Sequence, residues 1–251
     1  LYLLAQYFYQ FSFVFYNPMI DQVAPLEKRG RISGLGQAAN WIGQIAGILI
    51  ALPFAASGRV GPLLPATLVF FALALPMLIF FKEPKPQSEV HLSLRDAGQE
   101  ARQFGSRLVH FLRYSPAALF LIAFFFFNDA ILTFSNNFPI YVERVFAVSD
   151  KVKSMLLVGI LVTSAIGAYA SGWLADRVGM KRTLKVVIGT WIIVIPIVAV
   201  TDSFPLFIGV TVAVGLLYGA IWSVTRAYLS GILPSGEMNY GFSFYTLSER
   251  F

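Results

Sequence analysis

The chain contains no cysteine and only two histidines, His91 and His110, among its 251 residues. Disulfide frameworks, thiolate metal sites and catalytic thiols are thereby excluded, and histidine-based zinc or acid–base chemistry has little to work with. Charge is scarce as well: Asp, Glu, Lys and Arg make up 13% of the residues, where a soluble domain carries about 25%. What takes their place is apolar, with 57% of residues hydrophobic and 16% aromatic. This is the composition of an integral membrane protein. No His-Glu-x-x-His, Gly-x-Ser-x-Gly or Gly-x-x-x-x-Gly-Lys pattern occurs, so nothing calls for a catalytic constellation, a metal or a cofactor.

A helix needs about 20 apolar residues to cross the hydrocarbon core. Seven stretches qualify, roughly 1–20, 32–56, 61–81, 116–139, 154–175, 183–201 and 205–232. Backbone N–H and C=O groups in lipid must be satisfied within the segment, which predicts helices. Runs such as Phe124–Phe127 favour strands in water, but their host segments are too long and too continuously apolar for barrel strands. The expected fold class is all-α, a polytopic bundle of seven transmembrane helices. Because the chain opens inside an apolar stretch and stops in a polar one, it reads as a fragment.

The net charge of +6 does not point to nucleic acid, because the basic residues sit in short links beside apolar spans, where lipid headgroups and the membrane potential act on them. Lys28, Arg29 and Arg31, then Lys82, Lys85, Arg95, Arg102, Arg107 and Arg113, then Arg177, Lys181, Arg182 and Lys185 occupy one set of links. The alternate links hold only Arg59, Arg144, Lys151 and Lys153. The positive-inside rule therefore puts the links at 82–115 and 176–185 in the cytoplasm. The expected setting is a bacterial inner or plasma membrane, with lipid as the surrounding partner. Nothing in the sequence specifies an oligomeric state.

The longest and most polar link divides the chain. Residues 1–81 read as the end of an N-terminal bundle with three spans, 82–115 as a cytoplasmic linker, and 116–251 as the start of a C-terminal bundle with four. Within the linker Leu94, Ala97, Ala101, Phe104, Leu108, Phe111 and Leu112 recur at three- and four-residue steps. That spacing predicts an amphipathic helix on the membrane surface.

Polar residues inside the spans carry the functional information, since each is costly in lipid and normally faces a bundle interior or a watery cavity. Gln6, Gln10 and Asn17 share a face of the first span, and Ser33, Gln37, Asn40 and Gln44 share one of the second. Gly43 and Gly47 have the small-xxx-small spacing that admits a close helix neighbour. In the fourth span Asp129 lies about halfway across, with Asn128 beside it and Thr133 and Asn136 on its face. A carboxylate there costs roughly 2.5–3.5 kcal/mol on insertion scales. It is tolerable if protonated, wetted or paired with a cation, and desolvation would raise its pKa toward a range useful for proton coupling. In the seventh span Tyr218, Trp222 and Arg226 follow steps of four; Arg226, late in the span, is placed either to snorkel to the headgroups or to pair with a substrate or ion.

One charged stretch remains. Gly172-Trp-Leu-Ala-Asp-Arg-Val-Gly-Met-Lys-Arg182 sits between two apolar spans and reads as a turn outside the lipid. Its pattern resembles the loop motif of major facilitator superfamily transporters, which appears after their second helix and again after their eighth. Read as the second copy, it makes the spans here similar to helices four to ten of a twelve-helix transporter. Tyr16-Asn17, Arg31-Ile-Ser-Gly-Leu-Gly36, Trp41-Ile-Gly43, Asp129, Thr225-Arg226, Leu233-Pro234 and Gly241-Phe-Ser-Phe-Tyr245 resemble the autophagy-related vacuole-effluxer-like family within it. Ala130, and Asn40-Trp41, depart from that family's pattern.

The resemblance implies a secondary transporter working by alternating access and not an enzyme, moving a small solute such as an amino acid with a coupling proton or cation. It implies that Asp176 and Arg177 latch the cytoplasmic gate, that Gly172 and Gly179 allow tight turns, and that Lys181 and Arg182 complete the gating loop. Asp129, Asn128, Thr133, Asn136, Gln37, Asn40, Gln44 and Arg226 are the expected solute or ion pathway. A non-transporting receptor or sensor on the same helices is the competing reading, and a membrane-embedded enzyme a third.

Overall fold

The computed structural model describes residues 2–57, 61–81, 98, 105–106 and 109–249. Among them every regular element is a helix and no strand occurs. The main elements are α1 (Tyr2–Tyr16), α2 (Ile20–Val23), α3 (Arg29–Ala51), α4 (Leu63–Phe80), α5 (Pro116–Phe146), α6 (Asp150–Val178), α7 (Met180–Val200), α8 (Phe204–Ile232) and α9 (Met238–Ser248). Most of the 82–115 linker, including the greater part of its expected amphipathic stripe, lies outside the described residues.

Among the described residues six helices are long and apolar enough to cross a membrane: Leu26–Phe54, Leu63–Phe80, Pro116–Phe146, Asp150–Val178, Met180–Val200 and Phe204–Ile232. They correspond to the second through seventh expected spans; α1, with 15 residues, falls short of that length. Two spans outrun their apolar runs. The α5 helix continues through Pro139 to Phe146 and stops where Ala147 turns left-handed at φ 48°, and α6 begins at Asp150. Between them Lys153 Nζ bridges Glu143 at 2.6 Å and Asp150 at 2.7 Å, a cluster whose charges suit the water-facing end of a helix pair.

The chain divides into two units, Leu1–Ile42 with Leu108–Phe251, and Gly43–Arg107. In the smaller unit α4 has no buried residue; Leu64, Leu68, Phe71, Leu75 and Leu78 are all exposed. A helix that is apolar all round has the composition of a membrane span. Gly43 and Gly47, expected to admit a helix neighbour, have nothing within 4 Å of where a Cβ would stand.

In the larger unit the core lies between α5, α6, α7 and α8. Phe207, wholly buried, stacks on Phe138 with ring centroids 5.8 Å apart and meets Phe146 at 4.6 Å. Trp191 of α7 packs edge-on against Phe134 at 5.9 Å. The α6 and α8 backbones approach so closely that Gly167 faces the Leu216 carbonyl and Gly219 the Ser164 carbonyl with no room for a side chain at either glycine. Ser164 Oγ adds a 3.0 Å hydrogen bond to the Gly215 carbonyl. Small residues let dispersion and such bonds hold membrane helices together, where no hydrophobic drive between helices exists.

Candidate functional site

The stretch expected to be a turn from Gly172 to Arg182 is almost entirely helical. Residues up to Val178 are the end of α6 and residues from Met180 the start of α7, so the link contracts to Gly179. Gly179 has φ +104°, a conformation open to glycine at little cost, and its N–H returns to the Ala175 carbonyl at 3.0 Å. Gly172 makes no turn. It is buried inside α6, where a Cβ would strike the Gly30 carbonyl and lie 2.9 Å from Gly34 Cα. Its partners on α3 are glycines too: a Cβ on Gly34 would sit 2.6 Å from the Ala168 carbonyl. The spacing of Gly30 and Gly34 is the same small-xxx-small signal that the sequence shows at Gly43 and Gly47, and at 30 and 34 it marks a real crossing.

That crossing delivers Asp176 to the N-terminus of α3. Its two carboxylate oxygens accept the N–H groups of Gly30 and Arg31, both at 2.8 Å. The first N–H groups of a helix have no partner within it and carry the positive end of the helix dipole, so a half-buried carboxylate is well matched there. Arg177 does not join this contact; it is exposed and stacks over the Trp173 ring at 3.7 Å. Lys181 and Arg182 are also exposed.

Further contacts tie the same helix ends together. Arg29 Nη1 donates to the Ser230 carbonyl at 2.6 Å and Nη2 pairs with Asp21. Ser33 Oγ, fully buried, donates to the Ser223 carbonyl at 2.8 Å. Asn17 Nδ2 donates to Thr246 Oγ1 at 3.3 Å. In the sequence Arg29 is one charge in a topology count, and no pattern distinguishes it from Lys28 or Arg31; its partner is 201 residues away.

The expected pathway residues separate into two groups. Arg226 is 5% exposed, so it does not snorkel to headgroups; its guanidinium lies over the Tyr16 ring at 4.9 Å. Asn128 is buried and donates to the Ser248 carbonyl at 2.8 Å. By contrast Asp129, Thr133 and Asn136 are exposed on one face of α5, and Asn40 and Gln44 are exposed on α3. Gln37 is half-buried, with Asn40 Nδ2 at 3.5 Å from its Oε1. The side chains of Gln6 and Gln10 lie outside the described residues. Asp129 and Arg226 thus occupy different environments, one open and one closed over by aromatic rings.

A set of membrane-length helices defines a polytopic membrane protein. A family model described as Major Facilitator Superfamily matches residues 2–251, and the chain belongs to that superfamily. It is 25% identical over 260 residues to an uncharacterized MFS-type transporter, YxiO, of Bacillus subtilis (strain 168), covering 95% of this chain and 58% of that relative. No solved structure matches the chain.

Proposed function

We propose that the chain is the central part of a secondary active transporter that moves a small solute by alternating access, not an enzyme. The observation that carries the reading is the seating of the Asp176 carboxylate on the N–H groups of Gly30 and Arg31. It joins two spans at a single helix end through contacts that can be made and broken without unfolding either helix, which a reversible gate requires.

The charge bias puts that end in the cytoplasm, with the 82–115 link also cytoplasmic and joining an N-terminal bundle at 1–81 to a C-terminal bundle at 116–251. Lys181 and Arg182, being exposed, are suited to contact anionic headgroups beside the gate. The setting in this reading is a bacterial inner or plasma membrane, a choice that the Bacillus relative supports. In this reading the exposed face of α5 bearing Asp129, Thr133 and Asn136 belongs to the polar route, with Gln37, Asn40 and Asn128 assigned to it as well. Asp129 is its coupling group for a proton or cation, since it stands 13 residues into a helix of 31, where an uncompensated carboxylate would be costly. The vacuole-effluxer-like resemblance makes amino acids the first solutes to try.

The test is uptake by the full-length protein in proteoliposomes over a solute panel. Accumulation driven by an imposed pH or ion gradient, and lost in Asp176→Ala, supports the reading. Solute binding with no translocation of any solute would replace it with a receptor.

A further inference from the structure

Among the described residues of the larger unit three buried N–H donors have no acceptor, and two of them are Arg226 Nε on α8 and Trp41 Nε1 on α3. Both residues are more than nine-tenths buried, at 5% and 6% exposure. They belong to one lined face. The Trp41 ring lies 5.2 Å from that of Tyr218, Tyr218 meets Trp222 edge-on at 6.3 Å, and Arg226 follows one turn further along α8, its guanidinium over Tyr16. From Tyr218 to Arg226 is eight residues, about 12 Å along the helix. Gly36 of α3 packs closely against this face: a Cβ there would lie 3.3 Å from the Tyr16 hydroxyl, tighter than ordinary contact, and 3.8 Å from Arg226 Nη1.

The chemistry of the face is one-sided. Guanidinium and indole nitrogens donate and cannot accept. A buried cation facing an aromatic ring gains some attraction, but a buried N–H left unpaired is costly. The group that satisfies these donors must bring acceptors, and negative charge suits the arginine best. The nearby acid is Glu249, which like Arg226 acts electrostatically on the Tyr245 hydroxyl, itself 2.9 Å from Thr225 Oγ1. Trp191 Nε1 is unpartnered too, but its ring packs edge-on against Phe134 in the hydrophobic core, so an orphan indole alone does not make a site. The arginine, the second donor and the aromatic lining together do.

The geometry points to a binding site for a small organic anion, a carboxylate with an apolar or aromatic body, between Trp41, Tyr218, Trp222, Arg226 and Tyr16. This names the solute class of the transporter reading and rests on it only for the claim that the anion is carried across.

The test uses the full-length protein in detergent, with phenylacetate as the probe and phenethylamine and benzyl alcohol as its cationic and neutral counterparts. Phenylacetate should change tryptophan fluorescence saturably, because Trp41 and Trp222 line the site, and the other two should not. Arg226→Gln should weaken phenylacetate binding at least tenfold, with Arg226→Lys recovering part of it. Trp41→Phe, which keeps a ring but removes the donor, should weaken binding by a smaller factor. Thermal melts of each variant without ligand establish that it is folded; if Arg226→Gln is not, Trp41→Phe and the three-probe comparison decide. No saturable response to phenylacetate, equal binding of the amine, or wild-type affinity in a folded Arg226→Gln protein overturns the site. Proteoliposome exchange separates the two claims. Transport of a neutral or cationic solute without phenylacetate binding sinks the anion site and leaves the transporter. Phenylacetate binding without exchange of any solute does the reverse.

Discussion

The carboxylate of Asp176 and the backbone N–H of Gly30 are 2.8 Å apart although 146 residues separate them in the chain. The second oxygen takes the N–H of Arg31 at the same distance. An anion at a helix N-terminus is worth about 0.3–1 kcal/mol when exposed and up to ~2 when partly buried. Loss of about 1 kcal/mol shifts a two-state equilibrium about fivefold. Asp176→Asn, which keeps the shape and removes the charge, should therefore open this end of the bundle more often. Because the chain has no native cysteine, Ser33→Cys supplies a clean reporter at a fully buried position. Its labelling by an impermeant maleimide should rise about fivefold in the Asp176→Asn background; an unchanged rate would remove Asp176 from gate control.

Gly172 and Gly189 provide a matched pair. A methyl group on Gly172 would run into the Gly30 carbonyl, whereas Gly189 has nothing within 4 Å. Overpacking a close crossing costs about 1–3 kcal/mol. Replacing an unconstrained helical glycine with alanine gains up to about 1 kcal/mol. Thermal melts in detergent should accordingly fall for Gly172→Ala and hold or rise for Gly189→Ala. Equal behaviour of the two would refute the α3–α6 crossing.

Phe207 is the most informative core position. It is wholly buried and its ring meets those of Phe138, Tyr141, Phe146 and Phe204 or packs beside them. Truncation to alanine should cost about 3–5 kcal/mol, seen as a large drop in melting temperature. Phe126→Ala, at a residue 69% exposed on α5, should cost little by comparison.

Asp129 is exposed on α5, and its own neighbours Thr133 and Asn136 are exposed with it. Asp129→Asn removes the charge proposed to bind a proton or cation while keeping the size of the side chain. Gradient-driven uptake should fall by roughly tenfold or more, a factor equivalent to about 1.4 kcal/mol, and the remaining uptake should lose its dependence on pH. Wild-type uptake with the wild-type pH profile in this mutant would exclude Asp129 from coupling.

Reading the chain residue by residue located the helices well, because apolar length is a local property. The errors fell at the ends. The Gly172–Arg182 stretch looks like a loop because charge and glycine are usual outside lipid, yet α6 and α7 keep their hydrogen bonding up to Gly179, since a helix end can carry charge into water without unwinding. Arg226 shows the same gap from the other side. Its position late in a span fits a snorkelling side chain, and only the approach of Tyr16 from α1 buries it. The glycine spacing at Gly30 and Gly34 was as visible as that at Gly43 and Gly47; periodicity shows which residues share a face but not which face has a neighbour.

By itself the sequence determined that this protein is an all-helical membrane protein, where its long spans run and which face of each is polar. Those properties follow from composition and a repeat of 3.6 residues, both of which any lipid-embedded segment must obey. Tertiary structure alone decided that Asp176 caps α3, that Gly172 meets Gly30, and that Arg226 and Trp41 are closed into one face with donors unfilled. Each of these joins residues far apart in the chain, and the pairing depends on which small residues let two backbones come close enough to touch.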